Sequence, residues 1–129
     1  MESTIAIAVL LVGLFSVMQF FPFSIKVIGD ANAKTIATNL TLSQLEEIKA
    51  QSYDAMGTGT TETKQRVSTD PTSYLYDYQR QTVIELIDSN FDLSGSDLGL
   101  KKITVTTYWQ SPVTKEEKSF SINSVVADF

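Results

Sequence analysis

The side chains that could do chemistry in this chain are almost all carboxylates and hydroxyls. The 129 residues include no histidine and no cysteine, so the most common general base and the thiolate nucleophile are both missing. Ser94 and Ser96 lie near Asp97 but have no imidazole to activate them. Glu46 and Glu47 are adjacent, and adjacent residues of a helix point to different faces, so they do not form a catalytic pair. We therefore predict that this chain is not an enzyme.

One segment, Asp88 to Gly99, contains oxygen ligands of the kind that Ca²⁺ prefers. They are Asp92, Ser94, Ser96 and Asp97. The segment lacks the glycine and the terminal glutamate of an EF-hand loop, and Ser-Gly-Ser-Asp is also ordinary turn chemistry. The prediction is a turn between strands with no metal and no cofactor, in which Asp92 and Asp97 are the calcium candidates.

Phosphate and nucleic-acid recognition are not predicted. Gly57-x-Gly59 has the glycine spacing of a phosphate-binding loop, but no Gly-Lys-Ser/Thr follows it. The net charge is −5 and no window forms a basic cluster, so the footprint of a phosphate backbone is missing. Asn39-Leu40-Thr41 matches the glycosylation pattern, but its position within a predicted helix favours coincidence.

A single carboxylate, Glu2, stands directly before the most apolar stretch of the chain. Ser3 to Ile25 contains no Asp, Glu, Lys or Arg, and as a helix from residue 3 to 25 it is about 35 Å long, enough to cross a bilayer. A carboxylate among apolar helices needs a cationic partner, and the chain offers no lysine or arginine before Lys26. The partner of Glu2 must therefore be a terminus, another chain or water.

Three interpretations of the N-terminal stretch compete. A cleaved signal peptide could use Ala31-Asn32-Ala33, but the acidic start and the long apolar run argue against it. A plain membrane anchor explains the length and leaves Glu2 without a role. The third interpretation depends on a resemblance to a known family, and it gives Glu2 a role.

The residues that favour the third interpretation lie at both ends of the chain. Residues 1–14 read MESTIAIAVLLVGL, and the helix continues to Leu-Ser-Gln-Leu-Glu-Glu-Ile-Lys-Ala at 42–50. Near the end, 99–109 read GLKKITVTTYW and 118–122 read KSFSI. In these segments the chain resembles type IV pilins, and within them the branch of minor pilins and type II secretion pseudopilins.

The resemblance implies a structural subunit of a filament. It implies a bacterial inner-membrane protein that the filament assembly machinery builds into an extracellular surface filament, a homo-oligomer held by a bundle of N-terminal helices. In that family the glutamate sets the register between subunits, a role that would fall on Glu2. The family's glutamate is the fifth residue of the mature chain and here it is the second, which leaves the mature N-terminus open. Main or minor subunit, and pilus or secretion pseudopilus, also stay open. The alternative is a monomeric, membrane-anchored extracytoplasmic binding domain.

The elements that must position these residues divide the chain into three parts. Residues 1–53 are predicted as the N-terminal helix, with 1–25 as the membrane or filament-core segment; 54–75 are predicted as a connecting loop and 76–129 as an antiparallel sheet. Gly13 and Pro22 are the weak points of the helix, and we expect a kink or a melted stretch near Pro22. Together with Glu2 they form the predicted assembly site.

The fold class predicted is α+β, pilin-like, with a small three-stranded antiparallel sheet packed on the second half of the helix. The strands are expected within 74–87, 100–109 and 119–126, the last two joined by a polar turn. Within the first of them, 83–87 contains adjacent apolar pairs and could also belong to a helix. Alternation places four residues of the middle strand on the buried face: Ile103, Val105, Thr107 and Trp109.

Overall fold

The structure, a computed structural model, describes residues 2–129 except for the side chain of Glu2. One helix, α1 (Glu2–Lys49), is followed by four strands: β1 (Gly59–Arg66), β2 (Tyr78–Leu86), β3 (Leu100–Gln110) and β4 (Glu117–Ala127). Two short 3₁₀ turns, Tyr53–Ala55 and Tyr74–Asp77, precede β1 and β2. The class is α+β with one long apolar helix, as the sequence predicts.

Helix α1 continues without interruption through Gly13 and Pro22. No melted stretch is therefore present near Pro22 in the single chain, and a kink there, or unwinding in an assembled filament, stays a prediction. Proline lacks an N–H, which deprives only the carbonyl of Met18 of its helical hydrogen bond. The ring of Pro22 is exposed, so it displaces no packed neighbour within this chain.

The sheet has four antiparallel strands in the order β1-β2-β3-β4, one more than predicted. The additional strand, β1, lies inside the segment predicted as a loop. Its residues GTTETKQR are almost all exposed and show no alternation of apolar and polar types. Strand β1 is held to β2 by backbone pairing and by Glu62, which accepts hydrogen bonds from Arg80 and from the Thr82 hydroxyl.

The register of β2 and β3 pairs Tyr78 with Trp109, Thr82 with Val105 and Ile84 with Ile103. These pairs point to the helix-covered face, whereas Lys102, Thr104 and Thr106 face the other way. The predicted buried face of β3 is confirmed, since Ile103, Val105, Thr107 and Trp109 are all buried.

The core lies between this face and one stripe of α1, spaced four or three residues apart. The buried members of that stripe are Ala33, Ala37, Thr41, Leu45 and Ile48. One cluster joins the two alanines to Tyr78 and Trp109, and a second joins Leu45 and Ile48 to the other half of the sheet.

Helix and β3 therefore run in opposite directions, which gives the domain two distinct ends. At the proximal end, where α1 enters the domain, Asp30 meets Ser111 just beyond β3. At the distal end, Lys101 near the start of β3 meets Tyr53 and Met56 beyond the end of α1. The loop 87–99 connects β2 to β3 at the distal end.

Candidate functional site: the uncovered half of the helix

The first half of α1 has no covering within the chain. We call Ser3–Ile28 the uncovered half-helix and Gly29–Lys49 the packed half-helix. Every large apolar side chain of the uncovered half-helix is between 46 and 69 % exposed. Sixteen such side chains in one continuous segment form far more apolar surface than a soluble monomer normally leaves open.

The uncovered half-helix has the length and composition of a membrane span. Its most apolar 18-residue window has a mean hydropathy of 2.3, with none of that window buried. At 1.5 Å per residue, Ser3 to Ile28 is about 39 Å long, and a bilayer's hydrocarbon core is about 30 Å thick. The described chain thus contains one helix able to cross a membrane.

Two of the hydroxyl side chains in this half are hydrogen-bonded by the helix itself. Ser16 Oγ donates to the carbonyl of Val12 at 2.8 Å, and Ser24 Oγ donates to the carbonyl of Phe20 at 3.0 Å. A hydroxyl paired in this way carries a much smaller penalty in an apolar surrounding than an unpaired one. Ser16 and Ser24 are therefore compatible with lipid or with neighbouring helices.

The junction between the two halves is fixed by polar contacts at Asp30. Its carboxylate accepts a hydrogen bond from Ser111 Oγ at 2.7 Å and pairs with the Lys118 ammonium at 3.4 Å. The hydrogen bond from Ser111 and the charge of Lys118 lower the pKa of Asp30. The turn after β3 is thereby attached to α1 at the proximal end of the domain, between the uncovered and the packed half-helix.

The middle of the packed half-helix is joined to the sheet by two buried threonines. Thr41 Oγ1 donates its proton to the carbonyl of Ala37 at 2.8 Å and lies 2.8 Å from Thr107 Oγ1. A hydroxyl has only one proton, so Thr107 must be the donor in the contact between the two side chains. Both residues are fully buried, and this pair fixes the register of helix and sheet.

The distal end of the helix is held by a buried lysine. Lys101 is 4 % exposed, and its ammonium donates to the carbonyls of Tyr53 at 2.8 Å and Met56 at 2.9 Å. The same ammonium lies 4.1 Å from the centre of the Tyr53 ring. The Tyr53 hydroxyl donates to Asp97 at 2.5 Å. Burial and this hydrogen bond raise the pKa of Tyr53 to about 12, and the bond lowers the pKa of Asp97.

The predicted site residues fall in two places. Gly13 and Pro22 lie on the uncovered half-helix, while the side chain of Glu2 is outside the described residues, so its partner stays a prediction. Asp97 is occupied by Tyr53 and by the backbone N–H of Gly99. No group of three or more acidic side chains within the described residues is arranged to hold a metal ion near Asp92 or elsewhere.

Sequence reasoning missed the residues that attach the helix to the sheet: Asp30, Thr41, Tyr53, Lys101 and Ser111. Lys101 had one available signal, since it continues the alternation of Ile103 and Val105 toward the buried face. Asp30 and Ser111 are 81 residues apart, and no local pattern connects them.

Comparisons with models of protein families, with curated proteins and with solved structures find no match to this chain. The proposal of a function therefore depends on the residues and on the geometry described above.

Proposed function

We propose that this chain is the structural subunit of a type IV pilus-like helical filament. The uncovered half-helix anchors it in a bacterial inner membrane before assembly and packs against the same segment of other copies afterwards, in a filament on the cell surface. The filament assembly machinery is the expected partner in that transfer. The proposal extends the sequence resemblance to pilins with the geometry of the uncovered half-helix.

The observation that carries the proposal is the continuity of α1. A domain that only needs tethering is served by a flexible linker between anchor and fold. Here the apolar segment and the packed half-helix are one helix, and the domain is attached to it from Asp30 to Ile48. The helix thus fixes the position of the domain relative to the apolar segment, which an ordered polymer requires of every subunit.

Transfer from lipid into a filament is physically reasonable for this segment. Lipid and a neighbouring apolar helix are equally apolar, so packing contacts decide the exchange, and small residues allow helices to approach closely. At Gly13 an added Cβ atom would touch nothing within 4 Å in the single chain. The glycine is therefore not required by this chain's own fold, and close packing with another helix would explain it.

The test is electron microscopy of filaments sheared from the source cells, with reconstruction at side-chain resolution. We expect a helical core built from residues 1–28 of many copies. Filaments built from another chain, with this protein left in the membrane fraction as a monomer, would instead support the anchored binding domain and overturn the proposal.

Glu2 provides a second test of the same proposal. We expect Glu2→Ala to reduce the yield of filaments strongly, because the carboxylate is predicted to pair with a cation of a neighbouring copy. The matched control is Glu47→Ala, which removes an exposed carboxylate from the packed half-helix. Normal filaments from Glu2→Ala would remove the reason for assigning this residue to assembly.

A further inference from the structure

The distal end of the domain carries an apolar knob that its own chain does not bury. The loop 87–99 exposes three large apolar side chains: Phe91 at 66 %, Leu93 at 71 % and Leu98 at 61 %. Phe91 also has a φ of 67°, a left-handed conformation that is unfavourable for a bulky residue. Neither burial nor backbone preference explains a phenylalanine at this position, and such outliers concentrate at functional surfaces.

The knob is held in a defined shape. Asp88 Oδ1 accepts hydrogen bonds from the backbone N–H groups of Asn90 and Asp92, and the N–H of Phe91 bonds to the carbonyl of Asp88 at 3.0 Å. The bridge between Ile87 and Leu93 continues the antiparallel pairing past the end of β2. A preformed loop loses little conformational entropy when it binds a partner.

The proximal end carries a groove of about 350 Å³ between α1 and the sheet. Its walls are mostly apolar and aromatic, and include Ala33, Ile36, Tyr74, Trp109 and Pro112. A closed cavity of about 150 Å³ is already sufficient for a benzene ring, so the groove has room for the rings and methyl groups of the knob. Tyr74 at its rim is itself 70 % exposed.

The two ends differ in charge: the distal end is acidic, whereas the groove has one acid, Asp77, in its wall and a lysine, Lys26, on the adjoining face of α1. The distal segments 50–58, 87–99 and 128–129 contain five aspartates, and the lysines that border them are Lys49 and the buried Lys101. The aspartates are Asp54, Asp88, Asp92, Asp97 and Asp128. Lys26 precedes Gly29 and Ala33 by three and seven residues, which places it on the groove-lining face of α1. Lys26 is exposed and forms no ion pair with any residue that the structure describes.

Knob and groove lie at opposite ends of one domain, so a chain cannot insert its own knob into its own groove. Building on the proposed function, we propose that the occupant of the groove is a second copy of this chain. The Phe91–Leu93 knob of one copy inserts into the groove between α1 and Trp109 of the next, with Asp92 facing Lys26. A contact between two different surfaces of identical subunits does not close on itself and propagates a filament.

Cysteine cross-linking within sheared filaments tests this contact. The natural chain has no cysteine, so only the introduced cysteines of this chain can form a disulfide. One variant carries Leu93→Cys with Asn32→Cys, which lies in the groove. The matched control carries Leu93→Cys with Ala31→Cys, the neighbouring exposed residue on another face of α1. We expect oxidation to give a ladder of dimers, trimers and longer species for the groove pair only.

Exchanging the charges of Lys26 and Asp92 is a second test of the contact. Lys26→Asp and Asp92→Lys should each reduce the yield of filaments severalfold, and the two changes together should restore it, because the ion pair is re-formed in reverse. If the natural chain forms filaments but filaments of the groove-pair variant give no ladder, or both cysteine pairs give equal ladders, the knob-and-groove contact alone is overturned. Absence of any filament built from this chain would overturn the proposed function and this contact with it.

Discussion

In the packed half-helix, three of the five residues buried against the sheet are small or polar: Ala33, Ala37 and Thr41. The uncovered half-helix, by contrast, is rich in isoleucine, leucine, valine and phenylalanine, all exposed. The more apolar half is thus the one that the chain does not bury. The difference shows that the most apolar segment of the chain does not build the core of the domain. Lipid or other protein chains must therefore shield its side chains from water.

Removing residues 1–25, which include most of the uncovered half-helix, should produce the largest effect. We expect a chain that begins at Lys26 to be soluble without detergent and to keep the cooperative unfolding of the domain, because none of the removed residues belongs to either core cluster. Circular dichroism and urea unfolding of the shortened and full-length chains measure this. A shortened chain that fails to fold would show that the two halves are not independent.

A matched pair of isoleucines compares the halves directly. Ile48→Ala should lower the free energy of unfolding by about 2–5 kcal/mol, because it leaves a cavity in the core between α1 and β3. Ile25→Ala removes the same atoms from a side chain that is 68 % exposed, and should leave the free energy of unfolding in detergent unchanged. An equal loss of unfolding free energy in the two variants would contradict the division of α1 into a packed and an uncovered half-helix.

The Thr41–Thr107 contact predicts an asymmetry between two similar substitutions. Thr41→Val leaves the Thr107 proton without its acceptor, whereas Thr107→Val lets Thr41 continue to donate to Ala37. We expect a loss of about 1–3 kcal/mol from Thr41→Val and less from Thr107→Val. Urea unfolding of the two single variants and of the double variant measures the coupling. The opposite order would contradict the proton assignment.

The buried contacts of Lys101 at the distal end should contribute more to the free energy of unfolding than a surface ion pair of the sheet does. Lys101→Met leaves the carbonyl of Met56 without its side-chain donor and removes one of two donors from the carbonyl of Tyr53, and should cost about 1–3 kcal/mol. The control, Lys102→Met, breaks a partly exposed ion pair with Glu85 and should cost less than about 1 kcal/mol. A larger loss from the control would mean that Lys101 does not hold the end of the helix.

Acid should weaken the attachments at both ends of the packed half-helix. The pKa values of Asp30 and Asp97 lie below the ordinary value of 3.8, so their contribution to stability is complete above that value. As the pH falls below it, the unfolded chain binds protons first and the contribution is lost. Urea unfolding between about pH 5 and pH 2 should show this loss, and it should be smaller in Asp30→Asn with Asp97→Asn.

The elements with periodic apolar residues could be read from the sequence, and those without could not. The helix, the buried face of β3 and the hairpin with β4 all follow from spacing. Strand β1 was missed because it lies at an edge of the sheet and exposes nearly every side chain. Its pairing uses the backbone, which every residue possesses, and therefore leaves no pattern of residue types.

Of the candidate site, only the uncovered half-helix was recognisable in advance. Composition alone marks an apolar segment, but the groove is formed by α1, β3 and the turn before β2, which are distant in sequence. The knob at Phe91 depends on a backbone angle that no residue pattern at this position indicates. The predicted calcium candidates lie in the same loop, where Asp97 instead bonds to Tyr53 and to Gly99.

Because α1 is one unbroken helix, the number of residues between the apolar segment and the domain sets the direction in which the sheet faces around the helix axis. Each residue turns the helix by about 100°, so one extra residue between Pro22 and Asp30 would swing the whole sheet by that angle about the helix axis. Seven extra residues would nearly restore the original direction, with about 20° left over. For a chain built this way, we expect the effect of a short insertion in this part of α1 to depend on how far its length departs from a whole number of helical turns.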